Sequence, residues 1–244
     1  MISHKMKNNN PNNPALKSWI EIPKDSDFPI QNIPFGVFKL PGKDAHCGSR
    51  IGDYAIDLAA MTELGLFDEL NLKDISVFYE SSLNPFIALG RDSWRKVRNQ
   101  ISILFQDDCG SLRDDEKAKA KILIPINKVL MQMPVQVGDY TDFYSSIEHA
   151  TNVGTMFRDP KNALLPNWKH LPVGYHGRSS SIVVSGTDVF RPNGQTKPNE
   201  DNPPVFGPTK MLDFELEMAF ITGRETQLGE SVSVDKADEY IFGL

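Results

Sequence analysis

Three carboxylates at alternate positions are the first sign of chemistry in this chain. In residues 212–220, LDFELEMAF, strict alternation sets Leu212, Phe214, Leu216, Met218 and Phe220 on one face of an expected strand. Asp213, Glu215 and Glu217 fall together on the other face, because side chains on a strand alternate with a period of two. Carboxylates one pleat apart repel unless water screens them or a cation binds them. A cation that takes hard oxygen donors, Ca²⁺ or Mg²⁺, is the one such a row suits. The same spacing also fits a solvated acidic face on an edge strand.

A second dense cluster lies in GDYTDFYSSIEHATNVGTMFR, residues 138–158, which gathers Asp139, Asp142, Tyr144, Glu148, His149 and Arg158. Acid, base and cation close together on loops are what sites are built from. His149 is the natural proton acceptor near neutral pH. Each of these residues also has a structural reading: Asp142 as a helix cap, Tyr144 as a core aromatic with a wet hydroxyl, His149 as a packed imidazole. The third cluster is LPVGYHGRSSSIVVSG, residues 171–186. Gly174 and Gly177 flank Tyr175 and His176, which predicts a tight turn presenting Tyr175, and SIVV then reads as a buried strand ending at Ser185 and Gly186. No GxSxG, HExxH, GxGxxG or Walker pattern occurs, which tells against serine hydrolases, zincins and nucleotide enzymes.

The elements that must position these residues belong to an ordinary globular chain of 244 residues, 40% hydrophobic and 24% charged. A net charge of −6 argues against nucleic acid or an anionic membrane as a main partner. Two cysteines, Cys47 and Cys109, without CxxC spacing, fit a reducing cytosol. The first residues carry no apolar core of a secretory signal, and no stretch approaches the length of a membrane span, so a cytosolic location is expected. Residues 1–16, rich in Asn and Pro, read as a disordered tail. SWIEIP (18–23) and FGVFKL (35–40) read as short strands, and RIGDYAIDL (50–58) as a hairpin turning at Gly52 and Asp53. From Pro85 to Gln106 a helical period runs through Leu89, Trp94, Val97, Ile101 and Leu104 or Phe105, and SLRDDEKAKAK reads as a solvated helix face or connection. Residues 121–137 turn strand-like and apolar, and Gly, Pro, Ser and aromatics dominate afterwards. The expected organisation is a tail (1–16), a modest α+β domain (17–134) and a β-rich domain with long loops (135–244).

Four stretches together resemble the fumarylacetoacetase family: DSDFPIQNIPFGVF (25–38), the 138–158 cluster, NALLPNWKHLPVGYHGRSSSIVVSGT (162–187) and LDFELEMAFITG (212–223). The motifs are long and in family order. The resemblance implies an α+β, mostly β protein: an N-terminal SH3-like barrel followed by the first part of a mixed β-roll catalytic domain that forms homodimers. It implies a Ca²⁺ or Mg²⁺ ion held by Asp142, Glu215 and Glu217, with Asp213 not a ligand. His149 matches the general base, and Tyr144, Arg158 and Tyr175 match substrate contacts. The implied reaction is hydrolysis of a carbon–carbon bond in fumarylacetoacetate, giving fumarate and acetoacetate.

The chain ends at IFGL, residues 241–244, whereas the resemblance implies a further aspartate ligand, a glutamine, a lysine and a glutamate beyond that point. A 244-residue chain alone is therefore expected to bind metal poorly, to leave strand edges unpaired and to be inactive or nearly so. The alternatives are a truncated, catalytically inactive relative and a related acylpyruvate hydrolase; the long N-terminal match speaks against the latter.

Overall fold

The computed structural model describes residues 9–244, in two compact units. One runs up to Val135 and resumes at Val184–Leu244; the other is Gln136–Val183. The architecture is mixed α+β.

The larger unit begins with a meander of β1 (Phe35–Lys39), β2 (His46–Ile51) and β3 (Tyr54–Asp57). Gly52, at φ +50°, allows the tight turn between β2 and β3, where the sequence pattern places it. Asp57 ends β3 and caps α1 (Leu58–Glu63), its side chain accepting from the Ala60 amide at 2.8 Å. The helical period after Pro85 resolves into α2 (Asn84–Ala88), with Pro in its first turn, and α3 (Arg91–Leu104). Gly90, at φ +86°, breaks them, so one expected helix is two. Trp94, Val97, Ile101 and Leu104 of α3 are buried as the spacing predicts. The charged stretch forms α4 (Gly110–Arg113) and α5 (Glu116–Ile122), whose Ala118 and Ile122 face the core. β4 (Leu123–Pro125) and β5 (Leu130–Gln132) complete an antiparallel sheet in the order β4-β3-β2-β1-β5. Val37, Cys47, Ile56, Leu58, Phe78, Phe86 and Ile101 are sealed in one core against it.

One expectation in this region is corrected. SWIEIP makes only an isolated bridge, Ser18 to Gln106, because the Trp19 ring stacks on Phe105 at 5.3 Å and its indole N–H donates to Leu104 O, which takes the segment onto α3 instead of into the sheet. Of the expected tail 1–16, residues 1–8 lie outside the described residues. Asn9 bonds Asn99, Ser102 and Gln106, and Asn12 bonds Arg98, so amide side chains fasten this polar segment to α3.

The smaller unit contains β6 (Thr141–Phe143), α6 (Ile147–Phe157) and β7 (Gly174–His176). β6 and β7 pair antiparallel with Asp142 opposite Tyr175. Tyr175 is therefore a strand residue and not the tip of a tight turn, because Gly174 and Gly177 serve close packing: a Cβ on either would meet the ring of Phe143 or Tyr140. SIVV is also corrected. Ser181 closes a 3₁₀ turn, and Ile182 and Val183 are exposed rather than buried in a strand.

The larger unit resumes with β8 (Asn193–Thr196) paired to β9 (Val205–Pro208), then β10 (Ile221–Thr222) paired to β11 (Ile241–Gly243). The alternating run 212–220 has no ladder partner among the described residues. Alternation sets which way side chains face, but a strand also needs a neighbouring main chain to accept its hydrogen bonds. Without one, both sets of side chains are open to solvent, Phe214 at 90% and Leu216 at 94% exposure.

Candidate active site

Five of the seven residues singled out by sequence, Asp142, Tyr144, His149, Arg158 and Tyr175, fall in the one unit of residues 136–183. Each is held by a neighbour in sequence or across the β6–β7 ladder. Ser146 precedes the first turn of α6 with extended backbone, and its hydroxyl accepts from the His149 amide at 3.2 Å. That cap starts the helix with His149 one turn in. Ala150 and Gly154, one turn apart, form the buried face of the helix, and His149 sits at its edge, half-buried. The Tyr144 ring meets the imidazole edge-on, with centroids 5.2 Å apart and planes at 77°, which limits how the imidazole can turn.

Across the ladder the Tyr175 hydroxyl donates to Oδ2 of Asp142 at 2.7 Å. A short bond from a phenol to a carboxylate fixes the orientation of both groups. It also leaves Asp142 Oδ1 for another electrophilic partner. Ser179 ties the far end of this corner by donating to Gly138 O at 3.1 Å.

Arg158 ends α6, and its Nη1 donates to Ala163 O at 2.9 Å. Gly154, one turn earlier, makes this possible, since a Cβ there would collide with the Ala163 carbonyl. One of the five guanidinium N–H groups thus closes the turn after the helix. Ser146 and Gly154 were not foreseen as part of the site, although a serine just before a helical run is a recognisable start signal. For Gly154 the sequence holds no signal, because its partner Ala163 is fixed only by the fold.

Glu215 and Glu217 lie in the other unit, on the run 212–220 that joins no β-ladder among the described residues, with both side chains exposed. Among the described residues no group of three or more His, Cys, Asp or Glu side chains is gathered as a metal site.

Comparison with known proteins gives this arrangement a family. Residues 31–134 match the family described as Fumarylacetoacetase N-terminal, and residues 140–244 match Fumarylacetoacetate (FAA) hydrolase C-terminal. The chain is 53% identical over 232 residues to the fumarylacetoacetase of Dictyostelium discoideum, covering 94% of this chain and 54% of the relative. It is 52% identical over 232 residues to that of Caenorhabditis elegans, covering 94% and 55%. It is 48% identical over 228 residues to that of Homo sapiens, covering 93% and 54%. The chain belongs to the fumarylacetoacetase family. It spans about half the length of the curated relatives it matches. Both parts of the fumarylacetoacetase pattern are thus present in order, and the β6–α6–β7 unit lies within the C-terminal match.

Proposed function

We propose that this chain serves a hydrolase that cleaves the carbon–carbon bond of fumarylacetoacetate to give fumarate and acetoacetate, the last step of tyrosine and phenylalanine breakdown. The observation that carries the reading is an oriented carboxylate and an oriented imidazole held in the same small unit. Tyr175 holds Asp142, and Tyr144 and Ser146 hold His149, within one small unit. The names of the family relatives supply the substrate.

The substrate is a 1,3-diketone acid, and the leaving carbon departs as an enolate. Water must attack one carbonyl, and it must lose a proton as it does so. His149 takes that proton on an imidazole nitrogen, a general-base contribution of roughly 10²–10⁴ in rate. Tyr144 against its edge keeps the ring from swinging away. Arg158 retains guanidinium donors beyond the one that closes the helix, and a planar fork of N–H groups suits a substrate carboxylate. Tyr175 contributes twice, orienting Asp142 through its hydroxyl and offering its exposed ring as a surface for the flat substrate.

Asp142, Glu215 and Glu217 are the proposed holders of Ca²⁺ or Mg²⁺, and their carboxylate oxygens have the donor chemistry either ion takes. When bound, such an ion polarises carbonyl oxygens as a Lewis acid and is worth several kcal/mol to a developing enolate. The same proposal takes the five-stranded sheet as an SH3-like barrel, residues 17–134 as its domain after a tail of 1–16, residues 135–244 as the first part of a β-roll, and the active form as a cytosolic homodimer. The antiparallel order β4-β3-β2-β1-β5 supports the first of these. The exposed row Phe214, Leu216 and Met218 supports the homodimer, as surface that an association would cover. No helix among the described residues is long and apolar enough to cross a membrane.

The test is cleavage of fumarylacetoacetate by the native protein, set beside acylpyruvates. Preferential, cation-dependent loss of fumarylacetoacetate, reduced roughly 10²-fold or more by His149→Ala, is expected. Faster turnover of acylpyruvates would instead assign the related hydrolase activity.

A further inference from the structure

α3 carries three arginines, Arg91, Arg95 and Arg98, at the i, i+4 and i+7 positions that bring side chains to one helix face. They line a cavity of about 400 Å³ whose apolar wall is formed by Phe35, Trp94 and Phe242. Trp94 is held rigidly there, its indole N–H donating to Phe86 O at 3.1 Å and Ile87 O at 3.0 Å, with Phe242 edge-on at 5.0 Å.

The charges in this cavity do not balance. Its one carboxylate, Asp238, is taken by Arg91 at 2.8 Å. Arg98 is half-buried, yet its guanidinium donates only to neutral oxygens, Gln31 O at 2.6 Å and Asn12 Oδ1 at 2.9 Å. Burial pushes the Arg98 pKa down, as expected of a cation withdrawn from water without a counter-charge. Arg95 is exposed at the mouth and makes no hydrogen bond or ion pair among the described residues. Two guanidinium charges are therefore uncompensated beside an aromatic wall, in a chain whose net charge is −6. Keeping like charges together on an otherwise acidic protein costs free energy unless an anion offsets it.

We propose that this cavity binds a small, flat dicarboxylate, with its carboxylates on Arg95 and Arg98 and its body against Trp94 and Phe242. The bidentate fork of arginine matches carboxylate geometry, and the wall favours a ligand with an apolar or conjugated body over a bare anion. None of the residues assigned to the hydrolytic site takes part, so the inference stands independently of that assignment.

The experiment is isothermal titration of the purified chain with fumarate, succinate and inorganic phosphate at low ionic strength. Saturable binding of fumarate is expected, weaker for succinate, weakest for phosphate, and falling as salt is raised. Arg95→Gln, at an exposed position that leaves the fold intact, is expected to weaken fumarate binding about tenfold, the loss of one charged contact. Lys73→Gln, at an exposed cation outside the cavity, is expected to leave it unchanged. No saturable binding of fumarate, equal binding of phosphate, indifference to Arg95→Gln, or an equal loss on Lys73→Gln would each overturn the proposal.

Discussion

Phe242 fastens the end of the matched C-terminal region to the N-terminal region, and its removal has a calculable cost. Its ring lies 5.0 Å from Trp94 and 6.0 Å from both Phe35 and Phe86. Nearby, Gly223 lies so close to Trp94 that a Cβ there would overlap the indole, and Arg91 pairs with Asp238 across the same seam. Truncating a fully buried Phe to Ala costs about 3–5 kcal/mol. Phe242 is only half-buried, so about 2 kcal/mol is the appropriate share. For a domain of this size each kcal/mol moves Tm by about 2–4 °C, so Phe242→Ala is expected to lower Tm by about 4–8 °C. Phe242→Leu, which keeps apolar volume but loses the edge-on ring contacts, is expected to lower it by about half as much. Thermal unfolding followed by tryptophan fluorescence reads this directly, because Trp94 is the ring that Phe242 covers. A Phe242→Ala protein with Tm within about 1 °C of the parent would refute the seam, since even a half-buried phenyl contact cannot be lost so cheaply.

Three further outcomes follow from single groups. His46 and Asp57 stand 3.0 Å apart, off the line of a straight hydrogen bond but within ion-pair reach, and Asp57 also caps α1. The Asp57 carboxylate beside it raises the His46 pKa above its ordinary 6.5, against an opposing desolvation and with help from the charge of Glu63 and a backbone contact at Asp44. A raised histidine pKa contributes stability that is fully present below pH 6.5 and lost as pH rises through the higher folded value, so Tm should fall over that window and the fall should vanish in His46→Gln. The Cys47 thiol, turned toward Val77 O, Glu80 O and Ser82 O, is pushed up to about 12 by burial, so its alkylation at neutral pH should proceed only as fast as the fold opens. Gly154→Ala should displace the turn at Ala163, costing about 1–3 kcal/mol in stability and lowering activity more than a surface Gly→Ala change on β8, as measured by denaturant unfolding and turnover.

What the sequence made legible was what local chemistry decides. Gly52 and Asp53 mark the hairpin because only a glycine takes that backbone turn easily, and Trp94, Val97 and Ile101 mark a helix because 3.6-residue spacing is written into one segment. What it did not show depends on partners far away in the chain. The run 212–220 alternates correctly and still has no ladder, since alternation carries no information about a neighbouring strand. Tyr175 lies on a strand where its flanking glycines predict a turn, because glycines that permit close packing look the same in sequence as glycines that permit positive φ. In the candidate site, the residue types and their clustering at 138–158 were visible. Which pairs touch was not, and the bond from Tyr175 to Asp142 spans a strand pairing that no spacing rule supplies.

The central claim is tested most directly on the native protein, captured with an antibody against residues 17–130 and assayed for fumarylacetoacetate cleavage with Ca²⁺ or Mg²⁺ and with a chelator. The account predicts fumarate and acetoacetate as products, turnover that the chelator abolishes and the cation restores, and its loss in His149→Ala. Captured protein that leaves fumarylacetoacetate intact with either cation present, or that cleaves it equally well with His149 replaced, would contradict it.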